Sequence, residues 1–109
     1  MANIQLKIYD SKDKKKVIKT YEAEGYDLML GTVEDFMNII DLDKINDNNE
    51  VAKMALKSYG QLKPLIMDIF PELTAEEYRG IKVPDLIRLI IQIGTSIVES
   101  LDFIKSSKN

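Results

Sequence analysis

The last long apolar run of the chain, KVPDLIRLIIQIGTSIVESLDFIK over 82–105, narrows the available folds more than any other stretch. A membrane-spanning helix needs roughly 20 mostly uncharged residues, and Arg88, Gln92, Glu99 and Asp102 interrupt this run about once per helical turn. The run must therefore fill a core or meet a partner. At about 100° per residue, Asp85, Arg88, Gln92, Thr95, Glu99 and Asp102 crowd into a sector of about 100°, and the rest of the surface is apolar or small. One stripe of Leu86, Ile90, Ile93, Ile97, Leu101 and Ile104 suffices for a core-facing helix, and Ile87, Ile91 and Val98 widen it into a second flank. Pro84 suits the first turn, where its missing N–H has no intrahelical partner, and Asp85 puts negative charge at the positive end of the helix dipole.

Upstream, the apolar period is two. NIQLKIY sets Ile4, Leu6 and Ile8 on one face, and KVIKTYEAE follows after DSKDKK, which predicts a β-hairpin over residues 1–24. Lysines near its turn discourage edge-to-edge pairing with other chains. The period then lengthens to about 3.6. Thr32 is placed to cap a helix over Val33–Leu42 with Val33, Phe36, Met37, Ile40 and Ile45 on its face. Residues from Asn49 to Phe70 read as helix in two pieces, because Gly60 and Pro64 argue for a break near the middle. Pro71 stops that segment. Thr74 and Glu77 then have capping-box spacing for a short helix that ends at Arg79 before Gly80.

The expected architecture is α+β and mostly helical: one domain over 1–109, with the hairpin followed by a helical body over 32–105. Four or five helices are expected, the last one the longest. The absence of cysteine removes disulfides and thiolate metal sites, and MANIQLKIYD lacks the layout of a signal peptide.

Charge is uneven along the chain. Lys7, Lys12, Lys14, Lys15, Lys16 and Lys19 dominate the start. From Tyr21 to Glu50 the acids Glu22, Glu24, Asp27, Glu34, Asp35, Asp41, Asp43, Asp47 and Glu50 face the single base Lys44. Nucleic acid is a poor partner for such a distribution, and the KDKKK cluster reads as a solvated hairpin tip. With neither histidine nor cysteine, the usual general base at neutral pH, the imidazole triads and the commonest metal ligands are missing. The adjacent carboxylate pairs sit in strongly polar surroundings, which do not raise a pKa for acid catalysis. DLDKINDNNE fails as a calcium loop, since Ile45 and Asn46 occupy positions for a ligand and a glycine and Ala52 the place of the bidentate glutamate. The scattered glycines form no phosphate-binding loop. The expectation is a non-enzymatic protein without catalytic residues, cofactor or metal.

The stretch LKPLIMDIFPELTAEEYRGIKVPDLIRLIIQI, from Leu62 to Ile93, resembles the tail assembly chaperones of long-tailed phages and prophages of Gram-positive bacteria. The matching residues are Ile69, Phe70, Pro71, Leu73, Thr74, Glu76, Glu77, Ile81, Val83, Asp85 and Leu86. The resemblance implies a small cytoplasmic protein of the host cell, absent from the mature virion. It would bind and shield the helical tape measure protein while the tail is built, an amphipathic helix entering an apolar groove. Ile87, Ile91, Gly94 and Val98 are the expected contact surface, with Gly94 allowing close approach. Packing of that flank on the hairpin, or on Met54 and Leu56, is the competing expectation. The resemblance further implies a longer, frameshifted product reaching the tail tube protein, and Lys108–Asn109 are compatible with a slippery run of adenines. The alternative function is a small homodimeric regulatory or adaptor protein of a mobile element, paired through the same helix.

Overall fold

The computed structural model describes residues 3–107, with side chains through Leu101. Asp102 and Ile104, assigned above to the polar sector and the stripe, therefore have side chains outside the described set, as Lys108 and Asn109 are altogether.

Strand β1 (Asn3–Tyr9) is buried as its sequence alternates, with Ile4, Leu6 and Ile8 inside and Gln5 and Lys7 outside. It pairs antiparallel with β2 (Val17–Glu24), and the register sets Asn3 opposite Glu24 and Leu6 opposite Tyr21. Near the turn the ladder slips, so that Ile8 meets Lys19 while Tyr9 meets Val17. The Asp10 carboxylate accepts the Lys12 N–H at 2.8 Å, which ties the turn and leaves the lysines in solvent.

Five α-helices follow: α1 (Leu30–Ile39), α2 (Asn48–Lys57), α3 (Tyr59–Ile69), α4 (Ala75–Arg79) and α5 (Val83–Ser107), the longest. Their boundaries correct the sequence reading in two places. Helix α1 starts at Leu30, not after Thr32, because Met29 stays extended and its carbonyl accepts the Val33 N–H. Thr32 is buried within the helix. The helix also stops at Ile39, short of Leu42, since Asp41 caps a separate 3-10 turn (Leu42–Lys44) by accepting the Asp43 N–H. The expected two-piece helix breaks at Ser58, ahead of Gly60, and Pro64 lies inside α3. Proline has no N–H for the Gly60 carbonyl, so restarting the helix at Tyr59 confines the loss to its first turns.

The capping box forms as its spacing requires: Thr74 Oγ1 accepts the Glu77 N–H at 3.1 Å, and Glu77 Oε1 accepts the Thr74 N–H at 3.0 Å. One core runs through the molecule, joining Ile4 and Leu6 to Phe36, Leu62, Ile66, Tyr78, Leu89, Ile90 and Ile93. Tyr78 is fully buried, stacks on Tyr59 at 4.8 Å between ring centres, and donates its hydroxyl to the Tyr59 carbonyl.

Helix α5 packs against both β1 and α2. Its buried arc, with Leu86, Leu89, Ile90, Ile93, Gly94, Ser96 and Ile97, therefore covers about 180° of the helix, wider than one stripe. The Ser96 hydroxyl survives full burial by donating to the Gln92 carbonyl at 2.9 Å. Among the described residues no helix is long and apolar enough to cross a membrane.

Candidate partner-binding site

On the flank of α5, Ile87 and Ile91 are half-buried against the core, and Val98 is 37% exposed. Gly94 is buried. A Cβ built there would fall 2.7 Å from Ile45 Cδ1 and 2.8 Å from Ile45 Cγ1, with Leu42 Cδ2 at 3.6 Å. The close approach that glycine permits is thus already used by the segment joining α1 to α2. The four residues still share one side of α5, but Ile45 and Leu42 cover its middle and leave Val98 as its open end.

The polar side of α5 is tied to the hairpin. Gln92 Oε1 accepts the Gln5 N–H at 2.9 Å, satisfying a donor on the outer edge of β1. Asp85 is buried and pairs through Oδ1 with Arg88 at 2.9 Å, while its Oδ2 is buried with no protein partner. Asp85 lines a polar notch of about 200 Å³ together with Gln5, Lys7, Arg88 and Gln92. Burial and then the nearby Asp85 carboxylate raise the Tyr9 phenol above its ordinary pKa.

A second tie joins hairpin to α4. Glu77 Oε1 accepts the Tyr21 hydroxyl at 2.7 Å, and its Oε2 meets Lys19 Nζ at 3.3 Å. Burial works to raise the Glu77 pKa, but the Thr74 backbone N–H, Tyr21 and Lys19 outweigh it and hold the carboxyl below its ordinary value. These groups are engaged in fixing the hairpin on the helices. Among the described residues no cluster of three or more carboxylates is arranged to hold a metal ion.

Large apolar side chains at the start and along one side of α1 are open to solvent, where the sequence reading did not place them. Leu30 is 84% exposed, Met29 73% and Met37 50%. Met37 was expected on the core face beside Phe36. It falls outside because the core side of α1 is centred on Phe36 and Ile40, with Thr32, Val33 and Ile39 beside them, and Met37 sits about 100° round the helix from Phe36. Leu30 and Met37, with Val33 half-buried against the core between them, occupy a sector of about 60° on α1, a spacing of i, i+3, i+7 that was readable as a second stripe. The stripe ends at a surface cavity of about 480 Å³ lined by Met37, Ile40, Asp41, Leu42, Asp43 and Met54.

Fold and surface together define a small α+β domain, a hairpin clamped on five helices, whose helices keep apolar flanks open to solvent. Comparison with family models, with curated proteins and with solved structures returns no match.

Proposed function

We propose that this protein is a tail assembly chaperone of a phage or prophage, which holds the helical tape measure protein soluble until the tail tube closes around it. The observation that carries the reading is the solvent exposure of large apolar side chains on three separate helices: Leu30 and Met37 on α1, Leu56 on α2, Val98 and Leu101 on α5. Such residues shield a partner's apolar helix by replacing water along its stripe. The resemblance over Leu62–Ile93 supplies the class of partner. Its residues fold here as a proline stop, a capping box and the start of α5, an arrangement that presents helices rather than a reactive centre. The chaperone works in the host cytoplasm and leaves before the virion is complete. A frameshifted longer product that engages the tail tube protein belongs to the same proposal.

The test is to search the neighbouring reading frames for a long helix-rich tape measure protein and to co-express it with this chain. The chaperone keeps that protein in the soluble fraction and co-purifies with it; an equally soluble tape measure protein without the chaperone refutes the proposal. The second reading, a homodimeric adaptor of a mobile element, is favoured by Val98 and Leu101, which stand exposed at i, i+3 near the end of α5. Light scattering at micromolar concentration decides it, since a monomer rules that reading out.

A further inference from the structure

We infer that the α1 flank, running from Leu30 through Val33 and Met37 into the cavity beside Leu42 and Met54, is the docking groove, and that its occupant is an amphipathic helix with lysine or arginine bordering its apolar stripe. Leu30 to Met37 spans about 10 Å of helix, two turns, which matches apolar residues at i, i+3 or i+4, and i+7 on a partner helix. The cavity at its end, with buried Ile40 as an apolar wall, is large enough for one bulky aliphatic side chain. Met37 and Met54 line that cavity, and their unbranched thioether side chains adapt to the shape of what enters.

The border of the groove fixes the charge of its occupant. Glu34 lies about 40° beyond Leu30 on α1, and Asp41 and Asp43 line the cavity. The ion pairs among the described residues are Lys19–Glu77, Lys44–Glu50, Lys53–Glu50 and Arg88–Asp85, so Glu34, Asp41 and Asp43 meet no cation among the described residues. Lys44, the one base between Tyr21 and Glu50, is turned to Glu50. An acidic border selects basic flanks and speeds their encounter. A second copy of this chain is a poor occupant, because a two-fold contact would set the same acids against each other.

The inference rests on the helix-binding reading and leaves the identity of the partner open. Its test uses a synthetic 18-residue amphipathic helix with one leucine stripe bordered by lysine, the same stripe bordered by glutamate, and a lysine peptide of the same composition with the stripe scrambled. Methyl-labelled methionine reports the site: the signals of Met37 and Met54 shift on binding the first peptide, while that of Met67, packed against the core, does not. The glutamate and scrambled peptides bind at least ten-fold more weakly. Leu30→Ser and Met37→Ser each weaken the first peptide by about ten-fold, the loss expected from one buried aliphatic contact, and both folds persist because these side chains stand in solvent. Equal binding of lysine and glutamate peptides overturns the inference, as do methionine shifts that follow protein concentration instead of peptide. If these variants still solubilise the tape measure protein while Ile91→Asp does not, the groove on α1 is wrong and the chaperone reading stands; if the wild-type chain fails to solubilise it, the chaperone reading falls on its own.

Discussion

Gly94→Ala tests whether the flank of α5 is closed from within. Alanine in a helix interior is favoured over glycine by about 1 kcal/mol, so on propensity alone the substitution stabilises. Geometry opposes it. The new Cβ would sit 2.7 Å from Ile45 Cδ1 and 2.8 Å from Cγ1, whereas carbon atoms settle at about 3.5–4.0 Å, so Ile45 must retreat by about 1 Å. Ile45 is only 5% exposed, so its side chain is enclosed and has little room to turn away. Overpacking of this kind costs about 1–3 kcal/mol, and the net expectation is destabilisation by about 1 kcal/mol. Ile45→Ala, which removes both crowding atoms, costs about 3 kcal/mol by itself. If the clash is real, the double variant is no less stable than Ile45→Ala alone, a coupling of about 1 kcal/mol, where independent sites would add to about 4 kcal/mol. Urea unfolding followed by circular dichroism at 222 nm measures all four proteins, tryptophan fluorescence being absent from this chain. Stabilisation by Gly94→Ala, with additive behaviour in the double variant, refutes the packing and reopens the α5 face to a partner.

Other expectations follow from burial and charge. Ile93→Asp buries an unpaired carboxylate at a position 1% exposed and unfolds the protein, whereas Ile91→Asp, half-buried at the flank, retains its helicity by circular dichroism. Glu77 has a folded pKa below its ordinary value, so the stability it contributes is full above the ordinary glutamate range and is lost as pH falls through the folded pKa. Glu77→Gln lowers stability at pH 7 and flattens the acid limb of a urea-midpoint profile; an unchanged limb shows that the Tyr21 and Lys19 contacts are energetically idle. Burial raises the Tyr78 phenol well above its ordinary value, followed by the nearby Tyr59. Its stabilising effect is full below the ordinary tyrosine pKa and fades as pH climbs above it. Spectrophotometric titration therefore finds one tyrosine ionising only with alkaline unfolding, and Tyr78→Phe abolishes that step.

The parts of the fold readable in the sequence are those governed by local chemistry. Ile4, Leu6 and Ile8 alternate, and the strand they form is buried on that face; Thr74 and Glu77 have capping-box spacing, and the box forms. What was not readable depends on contacts distant in sequence. Thr32 has the chemistry of a cap, but the chain enters α1 earlier because the helix must bring Phe36 and Ile40 onto the core, and that places Thr32 within it. Gly94 looked free to receive a partner because nothing in the period of α5 announces that Ile45 will lie across it. Leu89 and Ser96 fell outside the expected stripe for a related reason: a helix flanked by both β1 and α2 buries about half its circumference, and its own sequence does not say how many neighbours it has.

The same logic separates the two candidate surfaces. An apolar side chain on α5 has β1 and α2 competing to cover it, and at Gly94 the segment joining α1 to α2 lies across the helix as well. Helix α1 packs chiefly against α3, with Phe36 and Ile40 buried and Val33 and Ile39 half-buried against the core, while Leu30 and Met37 stand largely in solvent. Leaving that stripe in water forgoes roughly 1.5–3 kcal/mol for each large aliphatic side chain that a core could have buried. On the proposed reading, docking of a basic amphipathic helix offsets that loss, and the acidic border draws the helix in. Under the proposed helix-binding reading, the α1 groove therefore has a stronger claim as the site of first contact than the α5 flank, whose middle Ile45 and Leu42 already cover.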